Sequence, residues 1–409
     1  MPVDIRPIVE EELDSYVESV VRGFGGEVQE GEQDRVRRVL GLDRTHAAFD
    51  ERNRIVGTSG SYALSMAVPG RVDVATAGLT RITVATSHRR QGILTALIDD
   101  HFDEAAANDE PLSALWASEV AIYGRFGYGP ATENLTLSYD ARLAGVRRPD
   151  DPDTIDLVDG TEAEKALPDI RERGRVDRPG QYRRSPLWWE VRCFPDHEWM
   201  RDGASPRRYA IAYRDGDPVG YLSYRQKQRW TDNDLPDGEL RVSEIIGVDT
   251  RAVHSLWWFL SNVDLFPKVS AWLQPVDCLV PWLAANPRAV KRTVTDGIHV
   301  RVLDVEAALS ARRYDSPGEL ILAVTDDSRP AAAGTFRLSV SDDGSARCSA
   351  TDEKPDAHLS AYAVGGLYLG GCRPEPLVVA GHLRAEQPIV DRIRKMFTWP
   401  VAPFCDEGF

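Results

Sequence analysis

Between residues 47 and 107 the sequence runs through a hairpin, a pair of longer strands and an amphipathic helix, and between residues 209 and 262 much of that order returns. Such a recurrence points to an old duplication and to α/β units that each cover their strands with their own helix. At 409 residues the chain exceeds what one core usually supports, which agrees with two or three domains.

In the first unit, residues 3–6 read as a strand and 10–22 as a helix. Asp50-Glu51-Arg52-Asn53 is a hairpin turn between 47–49 and 55–56, and strands 59–68 and 72–86 meet at Pro69-Gly70. Ile93, Leu94, Leu97, Ile98, Phe102 and Ala105 share one face of a helix over 91–107. Further strands are expected at 112–117 and 134–139, and the Pro- and Asp-rich stretch 147–153 reads as a linker. The second unit has a hairpin at 209–213 and 219–224, a strand at 241–248 and an aromatic-rich helix at 254–262. From His299 onward the pattern changes. Short strands at 320–325, 336–340 and 347–350 precede a Gly-rich apolar stretch at 364–371 and a last helix at 386–397.

Composition removes several functional classes. No stretch approaches the ~20 apolar residues that span a bilayer, and Met1–Arg6 lacks the basic start and apolar run of a signal peptide. Cys193, Cys278, Cys348, Cys372 and Cys405 are odd in number and widely spaced, which gives neither a zinc site nor a disulfide framework and fits a reducing cytoplasm. The histidines, His88, His101 and His254 among them, lack metal-ligand spacing and read as surface or hydrogen-bonding residues, so no metal is expected. A formal net charge of −15 argues against a nucleic-acid partner and is compatible with a cationic substrate.

The chemistry concentrates in residues 82–94. Ile82-Thr83-Val84-Ala85-Thr86-Ser87-His88-Arg89-Arg90-Gln91-Gly92-Ile93-Leu94 is a strand, a basic turn with one glycine and a helix start. Free N–H groups at the positive end of a helix make an anion site, and Gly92 lets the backbone approach a phosphate without a Cβ. Neither GxGxxG nor GK[ST] is present, which argues against a dinucleotide fold or a P-loop. A basic, solvated turn is the other reading of these residues.

Arg89-x-x-Gly92 at a strand-to-helix turn resembles the pyrophosphate loop of the GNAT acetyltransferase superfamily. With the run Ala117-Ser118-Glu119-Val120-Ala121-Ile122-Tyr123-Gly124-Arg125-Phe126-Gly127-Tyr128-Gly129-Pro130 and a terminal Phe409, the chain closely resembles the Eis (enhanced intracellular survival) family over essentially its whole length. The resemblance implies an α/β (α+β) fold of tandem GNAT-like domains, 1–147 active and 148–296 degenerate, and a sterol-carrier-protein-like α+β domain at 297–409, suggested by Leu367-Tyr368-Leu369-Gly370-Gly371. It implies acetyl-CoA as co-substrate. Backbone groups of Ile82, Val84 and Ala85 would meet the pantetheine arm, with Val84 N–H polarising the thioester carbonyl. The amides of Arg89, Arg90, Gln91, Gly92, Ile93 and Leu94 would hold the pyrophosphate, and Ser118 and Glu119 would complete the cofactor site. Tyr123 would be the general acid; local sequence alone leaves Tyr123, Tyr128 and Phe126 equally open as packed aromatics. The carboxylate of Phe409 would orient the amine and pass its proton through water, although a frayed end is also compatible with residues 404–409.

The second copy of the turn, Val248-Asp249-Thr250-Arg251-Ala252-Val253-His254, has no glycine and begins with an acid, so it reads as structural. Trp188-Trp189 and Trp257-Trp258 read as core or domain-interface packing rather than ligand stacking, and as apolar surface for subunit contacts in the hexamer that the family implies. The third domain reads as a scaffold for the tail or as a lipid-binding fold. The expected activity is N-acetylation of a cationic amine, which could be aminoglycoside-like, polyamine-like or a lysine, with Phe24 and Glu407 at the acceptor. A CoA- or lipid-binding protein without turnover is the alternative. Where family members that acetylate aminoglycosides carry an acid after the residue matching Phe24, this chain has Gly25-Gly26; it has no Trp near Val36, and Gly408 replaces their penultimate Glu.

Overall fold

Regular structure begins at Asp4 in the computed structural model, which describes residues 3–409; Met1 and Pro2, the first residues of the stretch Met1–Arg6, lie outside it. Among the described residues no helix is long and apolar enough to cross a membrane.

The first sheet has seven strands in the spatial order Asp4–Pro7, Thr45–Phe49, Ile55–Val68, Val72–Val84, Leu112–Trp116, Ile298–Val302 and Gly129–Pro130. Residues 55–56 and 59–68, read separately, are one strand. Helix Ile93–Ala107 lies on this sheet through Ile93, Leu97, Ile98, Phe102 and Ala105, while Leu94, expected on the same stripe, is only part-buried and turns to the cavity. Helix Leu13–Gly23 buries Leu13, Tyr16, Val17 and Val20 against strands Ile55–Val68 and Val72–Val84.

The second sheet repeats the plan with Thr154–Val158, Arg208–Arg214, Asp217–Lys227, Glu239–Gly247 and Lys268–Pro275, and then Glu133–Asp140 and Lys291–Asp296. Helix Thr250–Leu260 packs on it with Trp257 fully buried.

The two sheets trade strands. Glu133–Asp140, expected within the first unit, inserts between Lys268–Pro275 and Lys291–Asp296 of the second sheet. Ile298–Val302, expected at the head of the third unit, inserts between Leu112–Trp116 and Gly129–Pro130 of the first. The expected boundaries at 147/148 and 296/297 therefore do not follow the sheets. Alternation shows that a strand is half buried but not which neighbour it pairs with. The stretch 147–153 is also more than a linker. Asp153 is buried and bound by Arg214 at 2.8 Å and Arg251 at 3.1 Å, while His254 Nε2–H donates to the Arg147 carbonyl at 2.8 Å.

The third sheet has five strands in the order Ala346–Ala350, Gly334–Val340, Gly318–Thr325, Ala357–Ser360 and Leu383–Ala385. The Gly-rich stretch becomes helix Ala361–Tyr368, which packs against strand Ile298–Val302 so closely that a Cβ on Gly365 would sit 2.1 Å from the Val300 carbonyl oxygen. One continuous core joins this domain to the first sheet through Val300, Leu322, Leu367 and Phe397. Trp188, Trp189 and Trp257 are buried, as packing predicts, so these residues do not supply the apolar surface expected of them. The exposed tryptophans are single ones, Trp272 and Trp282 among them.

Candidate active site

Strands Val72–Val84 and Leu112–Trp116 run parallel and pair only at Thr76–Leu112, Ala77–Ser113 and Gly78–Ala114. Beyond Gly78 they part. The first strand bulges there: Thr58 opposes Thr83 and Gly60 opposes Thr80, which leaves Arg81 and Ile82 facing Ser59, with Arg81 at φ 54°. The disrupted ladder is repaired by side chains. Tyr16 OH donates to the Ser59 carbonyl at 2.9 Å, and Thr58 Oγ1 donates to the Arg81 carbonyl at 2.8 Å. Between the parted strands lies a cavity of about 920 Å³.

Ile82 and Val84 form one wall of it. Ala85 N–H donates to the Val56 carbonyl at 2.9 Å, so antiparallel alternation turns the Val84 N–H away from that neighbour and toward the open side. Ala85 itself is not on the wall, because its N–H is used in this way and its carbonyl accepts from His88 N–H at 2.8 Å. Sheet pairing thus removes Ala85 from the expected contacts.

The turn that follows reaches the helix through two left-handed residues, Arg90 at φ 62° and Gly92 at φ 83°. No side chain caps helix Ile93–Ala107, and its first turn carries no acid. Its N-terminal amides and positive dipole end are thus left for an anion. His88, Arg89, Arg90, Gly92, Ile93 and Leu94 line the cavity, as do Ser118 and Glu119 opposite. Gln91 lies off the wall and is exposed.

The three aromatics of the 123–128 run separate cleanly. Phe126 is buried among Leu79, Ile98 and Leu115. Tyr128 is fully buried, and its hydroxyl donates to Ser113 Oγ at 2.7 Å, which also accepts from His101 Nε2–H at 2.8 Å and donates to the Ala77 carbonyl at 3.0 Å. Burial, helped by Arg44 and His46, pushes the His101 pKa down to about 3, so it is a neutral donor. Tyr123 is half-buried and lines the cavity. Burial and then the charge of Glu119 raise its phenol above the ordinary value, so it holds its proton at neutral pH.

The tail is docked along its length. Phe404 N–H donates to the Pro179 carbonyl at 2.8 Å, and Trp116 Nε1–H donates to the Glu407 carbonyl at 2.7 Å. Arg171 holds Asp406 at 2.7 Å, and Arg184 holds both Glu407 at 2.6 Å and Glu244 at 2.7 Å. Burial opposes the charge on Asp406, yet Arg171 and Arg184 overcome it and keep its carboxyl below the usual range. Arg192 donates to the Gly408 carbonyl at 2.6 Å. The ring of Phe409 stands edge-on to Tyr62 and Tyr182 and over Gly78, where a Cβ would meet it at 3.3 Å, and it lines the cavity. Phe24 reaches the same cavity at its exposed rim; Glu407 does not, because Arg184 holds its side chain elsewhere.

In the second copy the anion position is occupied by the protein. Asp249 caps helix Thr250–Leu260, accepting from Ala252 N–H at 2.9 Å, and pairs with Arg214 at 2.7 Å. Sequence reasoning missed Arg81, Tyr62, Trp116 and Arg192 on the wall, and Arg171 and Arg184 behind it. None carries a local signal; each acquires its place only when distant segments meet.

Residues 4–131 and 180–302 each match the acetyltransferase (GNAT) domain family, and residues 305–406 match the sterol carrier protein domain family. An uncharacterised N-acetyltransferase of Streptomyces avermitilis is 34% identical over 419 residues, covering 100% of both chains. N-acetyltransferase Eis of Mycobacterium bovis is 35% identical over 349 residues, which is 82% of this chain and 80% of its own. The crystal structure of Eis1 from Mycobacterium abscessus is similar with a TM-score of 0.85 at 30% identity, covering 100% of both chains.

Proposed function

The chain belongs to the Eis-like GNAT N-acetyltransferases, and from that premise we propose that it moves the acetyl group of acetyl-CoA to a primary amine in the first domain. One observation carries this reading. The uncapped, acid-free start of helix Ile93–Ala107 opens onto the cleft between the parted strands, and its counterpart is plugged by Asp249.

The amides after Arg89, with Arg89 and Arg90, fit a pyrophosphate, and the free edge at Ile82 and Val84 fits a pantetheine arm. Ser118 and Glu119 supply the facing wall. Acetyl-CoA supplies the activated thioester. Val84 N–H is suited to donate to the thioester oxygen as negative charge develops there. The amine nitrogen forms the new C–N bond as the C–S bond breaks. Tyr123 gives its proton to the departing sulfur and regains one from solvent. The carboxylate of Phe409, of ordinary pKa about 3.5, is too weak a base to strip an ammonium outright; it orients the amine and hands the proton to water.

Phe24 at the rim serves the acceptor side. The five cysteines, all unpaired, support a cytoplasmic enzyme. The hexamer is carried by the family resemblance alone. Calorimetry with acetyl-CoA, followed by thiol release with a panel of amines, tests the proposal. One acetyl-CoA per chain and amine-dependent thiol release are expected; two per chain, or no turnover with any amine, would overturn it.

A further inference from the structure

We propose that the acceptor is a singly charged amine on an apolar, aromatic body, an arylalkylamine, rather than a polyamine or an amino sugar. This rests on the acetyltransferase reading and narrows the acceptors that the sequence left open.

The charged side chains at the tail end of the cavity are matched to one another. Arg81 is paired with Glu32 at 2.7 Å, and Glu32 is paired with Arg35 as well. Arg171 holds Asp406, and Arg184 holds Glu407 and Glu244. Arg192 donates to Tyr62 OH at 3.1 Å and to the Gly408 carbonyl at 2.6 Å, with a Glu407 oxygen 4.0 Å from its Nε. Each acid of this network answers an arginine of the same network, and the Phe409 carboxylate stands outside it. This end of the wall therefore offers one negative group to an ammonium. Among the described residues, Glu119 is the one acidic side chain on the cavity wall, and it stands beside Tyr123 on the side that fits the cofactor.

The neutral surface at the same end is aromatic, formed by Phe24, Tyr62, Trp116 and Phe409. The indole N–H of Trp116 is taken by the Glu407 carbonyl at 2.7 Å, so what Trp116 adds to the wall is ring surface. Tyr62 is held edge-on between Trp188 and Phe409, at centroid distances of 5.1 and 6.2 Å, and Phe409 packs against Tyr182 at 5.3 Å. Packing fixes these rings. Phe24, by contrast, is exposed at the rim.

Ring faces attract an ammonium and shelter the hydrocarbon attached to it. A second or third ammonium would give up water without gaining a carboxylate, and sugar hydroxyls would face rings and guanidinium groups that are already engaged. A lysine brings one charge but carries polar backbone to the aromatic rim. An arylalkylamine meets both conditions: its ammonium is matched by the Phe409 carboxylate, and its ring stays among aromatic side chains.

The experiment compares phenethylamine, Nα-acetyl-lysine amide, spermidine and kanamycin as acceptors. Binding to the protein–CoA complex is measured by calorimetry, and turnover with acetyl-CoA by thiol release. Phenethylamine is expected to show a kcat/KM about tenfold or more above each of the others. Phe24→Asp places a second carboxylate at the exposed rim and should raise kcat/KM for spermidine about tenfold, whereas Phe24→Asn should not. The inference is overturned, with the acetyltransferase intact, by a wild-type protein that prefers the lysine amide, spermidine or kanamycin. It is equally overturned if Phe24→Asp gains no more spermidine activity than Phe24→Asn. Preferential binding of phenethylamine without thiol release from any amine sustains the recognition and sinks the acetyltransferase reading instead.

Discussion

The rings of Tyr123 and Tyr128 meet edge to face, 6.0 Å apart at 81°, yet only the first has room to exchange a proton. The Tyr128 hydroxyl is bound within the Ser113–His101 chain, whereas Tyr123 opens on the cavity. Tyr123→Phe should therefore lower kcat by ~10²–10⁴-fold and leave acetyl-CoA affinity unchanged in calorimetry. Because burial, and then the charge of Glu119, raise the Tyr123 pKa above the ordinary phenol value, its acid form persists through neutral pH, and an alkaline fall in rate from this group comes later than for a free phenol. Tyr128→Phe should instead cost about 1–3 kcal/mol of stability by leaving polar partners unmatched, a loss read by denaturant titration with kcat little changed. The turn at 89–94 and the 123–128 run were legible because their meaning lies in contiguous residues. Which tyrosine faces the cavity was not, since both sit beside glycines and differ only in what the fold puts around them.

Helices Ile93–Ala107 and Thr250–Leu260 occupy the same place in two related units, and their first residues divide their roles. Gly92 takes φ 83° with nothing within 4 Å of a would-be Cβ, so its glycine serves the conformation of the turn rather than packing against the protein. Asp249 fills its own helix end. Asp249→Ala should cost about 0.5–2 kcal/mol as a lost cap, visible in thermal unfolding, and should still leave one acetyl-CoA bound per chain. Strands and amphipathic helices were readable wherever the period was clear, as at 93–107. The stretch 364–371 gave no period, because helix Ala361–Tyr368 is buried all round and its glycines answer to close backbone approach. Gly365→Ala would place a Cβ 2.1 Å from the Val300 carbonyl oxygen, a backbone atom that cannot turn aside. A destabilisation of at least ~1–3 kcal/mol is expected, read as a lower midpoint in denaturant.

At the scale of the whole molecule, the degenerate unit acts as a clamp. Arg171 and Arg184 come from the second unit and are nearly fully buried, and they grip the tail that carries Phe409 into the first. Arg184→Ala would leave Glu407 and Glu244 without their partner, a break that costs about 3–5 kcal/mol when the groups stay buried. Release of the tail relieves that cost, so the expected signature is a fall in kcat and protease sensitivity of residues 404–409, with acetyl-CoA affinity retained. The folded pKa of Asp406 lies below its unfolded value, so its contribution to docking is complete above about pH 4 and is lost as pH falls below that. None of this was visible in the chain order, which gave the number and type of units but not their grip on one another. The exchange of Glu133–Asp140 and Ile298–Val302 between sheets carries a historical consequence. A gene cut anywhere between these two segments separates each sheet from a strand that the other half encodes. The two halves can therefore not be separated as cassettes: neither sheet is complete without a strand that the other half encodes.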